Sequence, residues 1–193
     1  RKVGPARVFT SESAAIAALK SLDTEKNIKP GDIMVMTCGG PMGTGMEEVF
    51  QVTVALKYLS YGKEVALITD ARFSGVSTGA CIGHVGPEAL AGGPIGKILE
   101  GDLIAIEVDR VNLVGTINLV GENGRNQGVD WGTQQLMQRE TQGGLQPHPL
   151  LPDDSKLWAA LQNASGGTWG GCVFDVEKIV ETIEAGTEAL KKK

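Results

Sequence analysis

Two continuous apolar runs, at residues 33–37 and 65–69, stand out in the hydrophobic pattern of the chain. Runs without alternation are typical of strands that are buried on both faces of a parallel sheet. Between them, residues 48–59 repeat apolar positions at helical spacing, and a glycine-rich loop precedes this segment. The pattern therefore predicts a strand, a loop, a helix and a second strand, in that order.

The segment before this unit predicts another strand and helix. Residues 3–9 form a short β-prone run. Ser11 follows with a hydroxyl suited to a helix N-cap, and the helix would carry Ile16, Leu19 and Leu22 on one side. The chain thus begins with a strand that leads directly into a helix.

The second half of the chain predicts a different kind of sheet. Residues 103–109 and 113–120 alternate apolar with polar or small positions, which is typical of an antiparallel pair with one face exposed. Residues 154–161 predict a short helix. Residues 176–183 carry the apolar stripe of a closing amphipathic helix capped by Asp175. Parallel and antiparallel pieces are therefore expected in one α/β fold.

Glycine is about twice as frequent as usual, with 27 residues, many of them in pairs that mark loops. Residues 70–94 are rich in small residues and predict a loop with a short helix. Residues 121–152 have little periodicity and are interpreted as a long excursion, part of a binding surface or an interface.

Length and charge exclude several classes of protein. The 193 residues are enough for one domain with its own core. A net charge of −5, with no basic stretch longer than the three terminal lysines at 191–193, excludes a nucleic-acid partner, and no apolar run approaches the roughly 20 residues of a membrane span. Three widely spaced cysteines argue for a reducing compartment, hence a soluble cytoplasmic protein. The chain begins without Met, so we expect that it was excised from something longer.

Two loops follow the carboxyl ends of consecutive predicted strands, at residues 38–48 and 70–77. That edge of a parallel sheet is where ligands bind. In the first loop, backbone N–H groups at the start of a helix could bind an anion, with Glu47 or Glu48 in the first helical turn. A glutamate at that position is equally well explained by its favourable interaction with the helix dipole, without any ligand.

The second loop offers Ser74 and Ser77 close to Arg72. Serines in such a loop usually satisfy backbone groups in turns, and no Gly-x-Ser-x-Gly elbow of an ordinary hydrolase surrounds them. The two histidines are interpreted as structural: His84 lies among small residues, and His148 lies in a loop between two prolines. From spacing alone, neither loop identifies a reaction.

Residues 66–95, which include Arg72-Phe73-Ser74-Gly75, closely resemble the signature of the dihydroxy-acid dehydratase and 6-phosphogluconate dehydratase family. Four shorter motifs fall in the same order as in that family: residues 4–9, 29–32, 45–48 and 100–102. The resemblance covers roughly residues 4–109 and is to the carboxy-terminal domain.

The resemblance implies an enzyme that removes water from a 2,3-dihydroxy acid to give a 2-keto acid, with an iron–sulfur cluster and Mg²⁺. It implies that Glu48 is a magnesium ligand, that Ser74 is the catalytic base, and that Ser77 lies near the substrate. Ala71 and Val76 stand where the family usually has smaller residues. These departures and the different tail suggest the xylonate (aldonate) branch.

The resemblance also implies the architecture and partners. The expected fold is a swivelling β/β/α domain, with a barrel-like mixed parallel and antiparallel sheet flanked by helices. Residues 1–193 would be one carboxy-terminal domain, inactive alone, in a homodimer or homotetramer. The cluster ligands would lie in an absent amino-terminal domain, which leaves Cys38, Cys81 and Cys172 as small buried hydrophobes.

Two alternatives stay open from the sequence. The first is the swivelling subunit of an aconitase-like isomerase, which also works beside an iron–sulfur cluster. The second is a non-catalytic anion-binding or assembly domain that uses the same glycine-rich loops.

Overall fold

The computed structural model describes residues 1–77 and 79–192. The strands, in chain order, are β1 (Lys2–Phe9), β2 (Ile33–Met36), β3 (Glu48–Val49), β4 (Ala66–Thr69), β5 (Arg72–Phe73), β6 (Ala80–Ile82), β7 (Leu103–Asp109), β8 (Val114–Glu122) and β9 (Arg125–Asn126). The α-helices are α1 (Glu12–Lys20), α2 (Pro41–Thr44), α3 (Gln51–Tyr58), α4 (Val129–Gln138), α5 (Asp153–Ala164) and α6 (Val176–Lys191).

Seven strands form one mixed sheet in the order β6-β4-β2-β1-β7-β8-β9, and β3 and β5 form a separate two-stranded ribbon. Strand β1 joins the two halves of the sheet. Its second half, Ala6 to Phe9, pairs in parallel with β2, whereas its first half, Lys2 to Pro5, pairs antiparallel with β7. The predicted mixed α/β fold is confirmed. The sheet remains open, without a closed barrel among the described strands.

Both faces of the parallel half are covered, as the continuous apolar runs predicted. Ile33, Val35 and Ile68 belong to one buried cluster, whereas Met34 and Leu67 belong to a second cluster with residues of α1 and α3. Alternate residues of the same strands therefore enter two separate cores.

The antiparallel pair of β7 and β8 is confirmed, but the predicted burial pattern is wrong. All of residues 103–106 are buried and all of residues 107–109 are exposed, so burial changes along the strand rather than between its faces. The reason is that only residues 103–106 pair with β1, while the rest of the hairpin extends past it.

Residues 121–152 contain more regular structure than their sequence indicated. Strand β8 continues to Glu122, and α4 follows the short strand β9. Helix α4 has Gly128 as its N-cap without a side-chain bond, and its Gly132 packs against the backbone of Leu119. Because it lacks a capping side chain, it has no clear start signal in the sequence.

The two predicted capped helices form, with differences in burial. Ser11 accepts a hydrogen bond from the backbone of Ala14 and Asp175 accepts one from Lys178, as the N-caps of α1 and α6. Leu22 lies beyond α1 and is exposed. The apolar stripe of α6 is also largely uncovered within the described residues, with Ile183 58% exposed. None of the described helices is both long enough and apolar enough to cross a membrane.

Candidate active site

A cavity of about 540 Å³ lies at the carboxyl edge of the parallel strands. Strands β1, β2 and β4 run in parallel, so the residues that follow them meet at one edge. Residues 10–13, 37–39 and Ala71 line the cavity from these three strand ends, and residues 144 and 146–149 contribute a further part of the wall. The predicted position of the ligand edge thus coincides with this cavity.

Glu48 lies on the wall of this cavity, in a strand rather than a helix. The sequence predicted a helix from residue 48, but Glu48 belongs to β3, which pairs in parallel with β5 through Glu48 opposite Arg72. The Arg72 guanidinium forms an ion pair with Glu48, and its Nε donates to the Met46 carbonyl over 2.6 Å. Glu48 therefore cannot be explained as a first-turn residue that stabilises a helix.

The helix N-termini near the cavity are already occupied by carboxylates of the chain itself. At the start of α3, the Val52 N–H donates to Glu12 over 3.0 Å. At the start of α2, the Met42 N–H donates to both carboxylate oxygens of Glu88, over 3.2 and 3.0 Å. The predicted use of the first loop as a helix-terminus anion site is therefore wrong, because Glu12 and Glu88 take the place of the anion.

Ser74 and Ser77 lie in the turn after β5. The Ser77 N–H donates to the Ser74 carbonyl over 3.0 Å, and the Ser74 hydroxyl accepts a long bond, 3.4 Å, from the Val76 N–H. Ser74 directly follows β5, two positions after Arg72, which is the partner of Glu48 in the ribbon. The predicted base is thus connected to the predicted metal ligand through Arg72 and the pairing of β3 with β5.

Ser77 is placed differently. Its hydroxyl lies 3.4 Å from that of Thr53 on α3, and neither Ser74 nor Ser77 belongs to the described lining of the cavity. Glu48 lines the cavity, whereas the two serines follow β5 outside its described lining.

The two glycine-rich loops are in direct contact. A Cβ atom added to Gly39 would lie 2.6 Å from the Cβ of Ala71, closer than real Cβ contacts allow. Residue 39 is therefore required to be glycine as long as residue 71 carries a methyl group.

Two buried carboxylates, Asp70 and Glu88, hold these loops together, and no role was predicted for either of them. Asp70 accepts backbone N–H groups from Gly39 and Ala89, each over 2.9 Å. Glu88, which is 2% exposed, binds the start of α2 and leaves no room for a side chain at Gly40. The only sign of this positioning role in the sequence is an acidic residue within a stretch of small and apolar residues.

Burial raises the pKa of both Asp70 and Glu88, and that of Glu88 reaches about 7. For Glu88 the neighbouring charge of Asp70 adds to the effect of burial, while the Met42 N–H opposes it. The two groups line or adjoin a second cavity of about 320 Å³, which also contains His84 and Cys172. Their contacts with the loop backbone indicate a role in positioning the glycine-rich loop.

The raised pKa of Glu88 predicts a pH-dependent stability. Between pH 4.5, its ordinary value, and about 7, the folded chain binds more protons at Glu88 than the unfolded chain, so the free energy of unfolding falls as the pH rises. The loss is at most about 3 kcal/mol. Glu88→Gln is expected to flatten this dependence, measured by urea unfolding at several pH values. Glu184→Gln on the exposed face of α6 is the control, and an unchanged slope in Glu88→Gln would refute the assignment.

The charged side chains on the wall of the larger cavity are Glu12, Glu47 and Glu48, so the wall has an acidic character. Residues 1–77 and 79–192 contain no group of three or more His, Cys, Asp or Glu side chains that could hold a metal ion. Glu48, the predicted metal ligand, therefore belongs to no such group among these residues, and its carboxylate is paired with Arg72.

His148 also lines this cavity, although the sequence indicated only a loop residue. Its backbone N–H donates to the Gly43 carbonyl over 2.8 Å, which joins the segment to the first glycine-rich loop. The contact connects residues more than 100 positions apart, so no local pattern could reveal it.

The open mixed sheet, the cavity at its parallel edge and the ribbon of β3 and β5 define an α/β domain with an acidic candidate active site. A family model described as "Dihydroxy-acid/6-phosphogluconate dehydratase C-terminal" matches residues 1–146. The chain belongs to this family. That result confirms the resemblance seen in the sequence and disfavours the aconitase-like alternative.

Three relatives of the chain are named as dehydratases. The chain is 56% identical to the D-xylonate dehydratase YagF of Escherichia coli (strain K12) over 97% of its own length, and 57% identical to D-xylonate dehydratase YjhG of the same organism over 91%. It is 53% identical to a dihydroxy-acid dehydratase of Moorella thermoacetica over 56%. The aligned parts are 28%, 27% and 19% of these relatives, so the chain spans less than a third of their length.

Proposed function

We propose that the chain is the carboxy-terminal domain of a hydro-lyase that dehydrates an aldonate such as xylonate to a 2-keto-3-deoxy acid. The observation that carries the proposal is the extent of similarity. The match to the xylonate dehydratases extends over at least 91% of the chain, whereas the match to the Moorella dihydroxy-acid dehydratase extends over 56%. The substrate would be a sugar acid rather than a branched-chain dihydroxy acid.

Glu48 is proposed to be one of several ligands of a magnesium ion. The residue fits this role because it is a carboxylate on an acidic cavity wall, and Mg²⁺ is commonly held by one or two carboxylates with water and substrate. When bound, Mg²⁺ supplies a Lewis acid for the substrate carboxylate, whose charge increases when the C2 proton is removed. Arg72 would keep the Glu48 carboxylate oriented through their ion pair.

Ser74 is proposed to remove the C2 proton of the substrate. It follows directly on β5, where Arg72 pairs with Glu48, and its hydroxyl accepts a long bond, 3.4 Å, from the Val76 N–H. A serine is a weak base at its ordinary pKa, so it depends on positive charge nearby. Ser77 would contact the substrate from the same turn.

An iron–sulfur cluster does not fit the described cysteines of this chain. Cys38 lines the larger cavity, Cys172 lines the smaller one, and Cys81 packs against the core. We therefore assign the cluster ligands to the amino-terminal domain, along with the remaining magnesium ligands, and derive no step through the cluster.

The proposal includes assembly and location. The chain would act with that amino-terminal domain in a cytoplasmic homodimer or homotetramer. The uncovered apolar side chains of α5 and α6, such as Trp158 and Ile183, are consistent with contacts to other domains or subunits.

The test is an assay of 2-keto acid formation by the full-length enzyme, loaded with cluster and Mg²⁺. The substrates are five- and six-carbon aldonates and 2,3-dihydroxy-3-methylbutanoate, and a chelator-treated sample is the control. We expect the highest kcat/KM with an aldonate. Product from the branched acid alone would refute the aldonate assignment. No product from any substrate would refute catalysis and favour a binding or assembly domain.

A further inference from the structure

The part of the cavity wall formed by Gly144 and residues 146–149 is firmly held against the body of the domain. Before it, Arg139 makes two bonds to the buried Asp102 carboxylate, over 2.5 and 3.0 Å. After it, the buried Leu151 donates its N–H to the His148 carbonyl over 2.9 Å. With the bond from His148 to Gly43, these contacts hold His148 at a defined position on the wall.

The His148 ring has one nitrogen engaged and one that can serve a ligand. Its Nδ1 accepts a hydrogen bond from the Leu150 N–H over 3.2 Å. In a neutral imidazole, a proton acceptor at Nδ1 requires the hydrogen at Nε2, which makes Nε2 a donor. Gln146 on the same wall adds an amide that can both donate and accept.

The rest of the wall contains several neutral hydrogen-bonding groups, including the hydroxyls of Thr10, Ser11 and Thr37. The Ser11 hydroxyl also caps α1. Groups of this kind match the hydroxyls of a polyol chain better than an apolar branched tail, which offers them no hydrogen bond. The wall is therefore chemically suited to the part of a sugar acid beyond the reacting carbons.

The segment that contains His148 also lies at the end of the region shared by the family. Its residues could therefore change the substrate preference without altering the site that the family has in common. The family model ends at residue 146, before His148. The match to D-xylonate dehydratase YagF covers 97% of the chain and so extends through this segment. Glu48 and Ser74, in contrast, lie well within the region common to the family.

We infer that residues 146–148 are a specificity determinant, in which His148 Nε2 and the Gln146 amide hydrogen-bond the hydroxyls beyond C3 of the substrate. The inference rests on the proposed function, since it names which part of the aldonate this wall contacts. It assigns His148 to substrate recognition rather than to the transfer of the C2 proton.

The test compares His148→Ala, His148→Gln and the parent in the full-length enzyme, with a five-carbon aldonate and with 2,3-dihydroxybutanoate, which has no hydroxyl beyond C3. His148→Ala is expected to lower kcat/KM for the aldonate about tenfold, chiefly through KM, and to change it less than twofold for the short acid. His148→Gln, which retains a donor, should recover part of the loss. If the short acid is not turned over, its inhibition constant is compared instead.

Leu150→Ala is the matched control, because Leu150 is on the same segment, is 81% exposed and is outside the described lining. Its substrate preference should equal that of the parent. An equal loss for both substrates in His148→Ala would indicate a structural role and overturn the inference, as would no loss for either. An inactive parent would instead count against the proposed function itself.

Discussion

Glu48→Gln in the full-length enzyme is expected to reduce kcat/KM by about 10³-fold or more while the domain stays folded. The substitution preserves the shape of the side chain but removes the charge that a magnesium ligand provides, and the metal contributes several kcal/mol to transition-state stabilisation. Folding should be little affected, because Glu48 and Arg72 are both substantially exposed and such ion pairs contribute about 0–1 kcal/mol.

The measurement is steady-state kinetics as a function of Mg²⁺ concentration, with urea unfolding as the check on folding. Glu47→Gln is the matched control, since Glu47 is the neighbouring carboxylate on the same wall. It should retain most of the activity. Near-normal turnover by Glu48→Gln at ordinary Mg²⁺ concentrations would remove Glu48 from the metal site.

Ser74→Ala is expected to lower kcat by about 10²–10⁴-fold with little change in KM, which is the range for loss of a general base. Among the described residues, the Ser74 hydroxyl accepts a single long bond within its turn, so its removal should hardly alter the free energy of unfolding. A substrate deuterated at C2 gives a second readout, because a slow proton abstraction increases the isotope effect on kcat.

Ser77→Ala serves as the comparison for Ser74→Ala. The two serines share one turn, but the Ser77 hydroxyl lies beside Thr53, and its loss should act mainly on KM. If Ser74→Ala behaved like Ser77→Ala, with only a modest rise in KM, then another group would have to remove the C2 proton.

The sequence predicted the features that depend on neighbouring residues. The buried strands at residues 33–36 and 66–69 were evident from apolar runs, and the caps Ser11 and Asp175 from their positions before amphipathic segments. The placement of the ligand edge followed from strand direction alone. These features need only local propensity and the geometry of parallel sheets.

The features that were missed depend on distant contacts. Helix α3 begins at Gln51 rather than at residue 48, and the carboxylate of Glu12, 40 positions away, accepts the Val52 N–H in its first turn. The strand that contains Glu48 exists because of its pairing with Arg72. Glu88 and His148 contact the site through residues that are distant in the sequence, and the hydrophobic periodicity carries no information about such contacts. Their roles are therefore evident only from the folded structure.

The contact between Gly39 and Ala71 limits the order in which these loops could have changed. A methyl group fits at one of the two positions but not at both, unless the backbone moves. Alanine at residue 71 is therefore compatible only with glycine at residue 39. In turn, a larger residue at position 39 would first require glycine at position 71. The residue present in one loop thus restricts which substitutions the other loop can accept, even though neither residue takes part in the proposed chemistry.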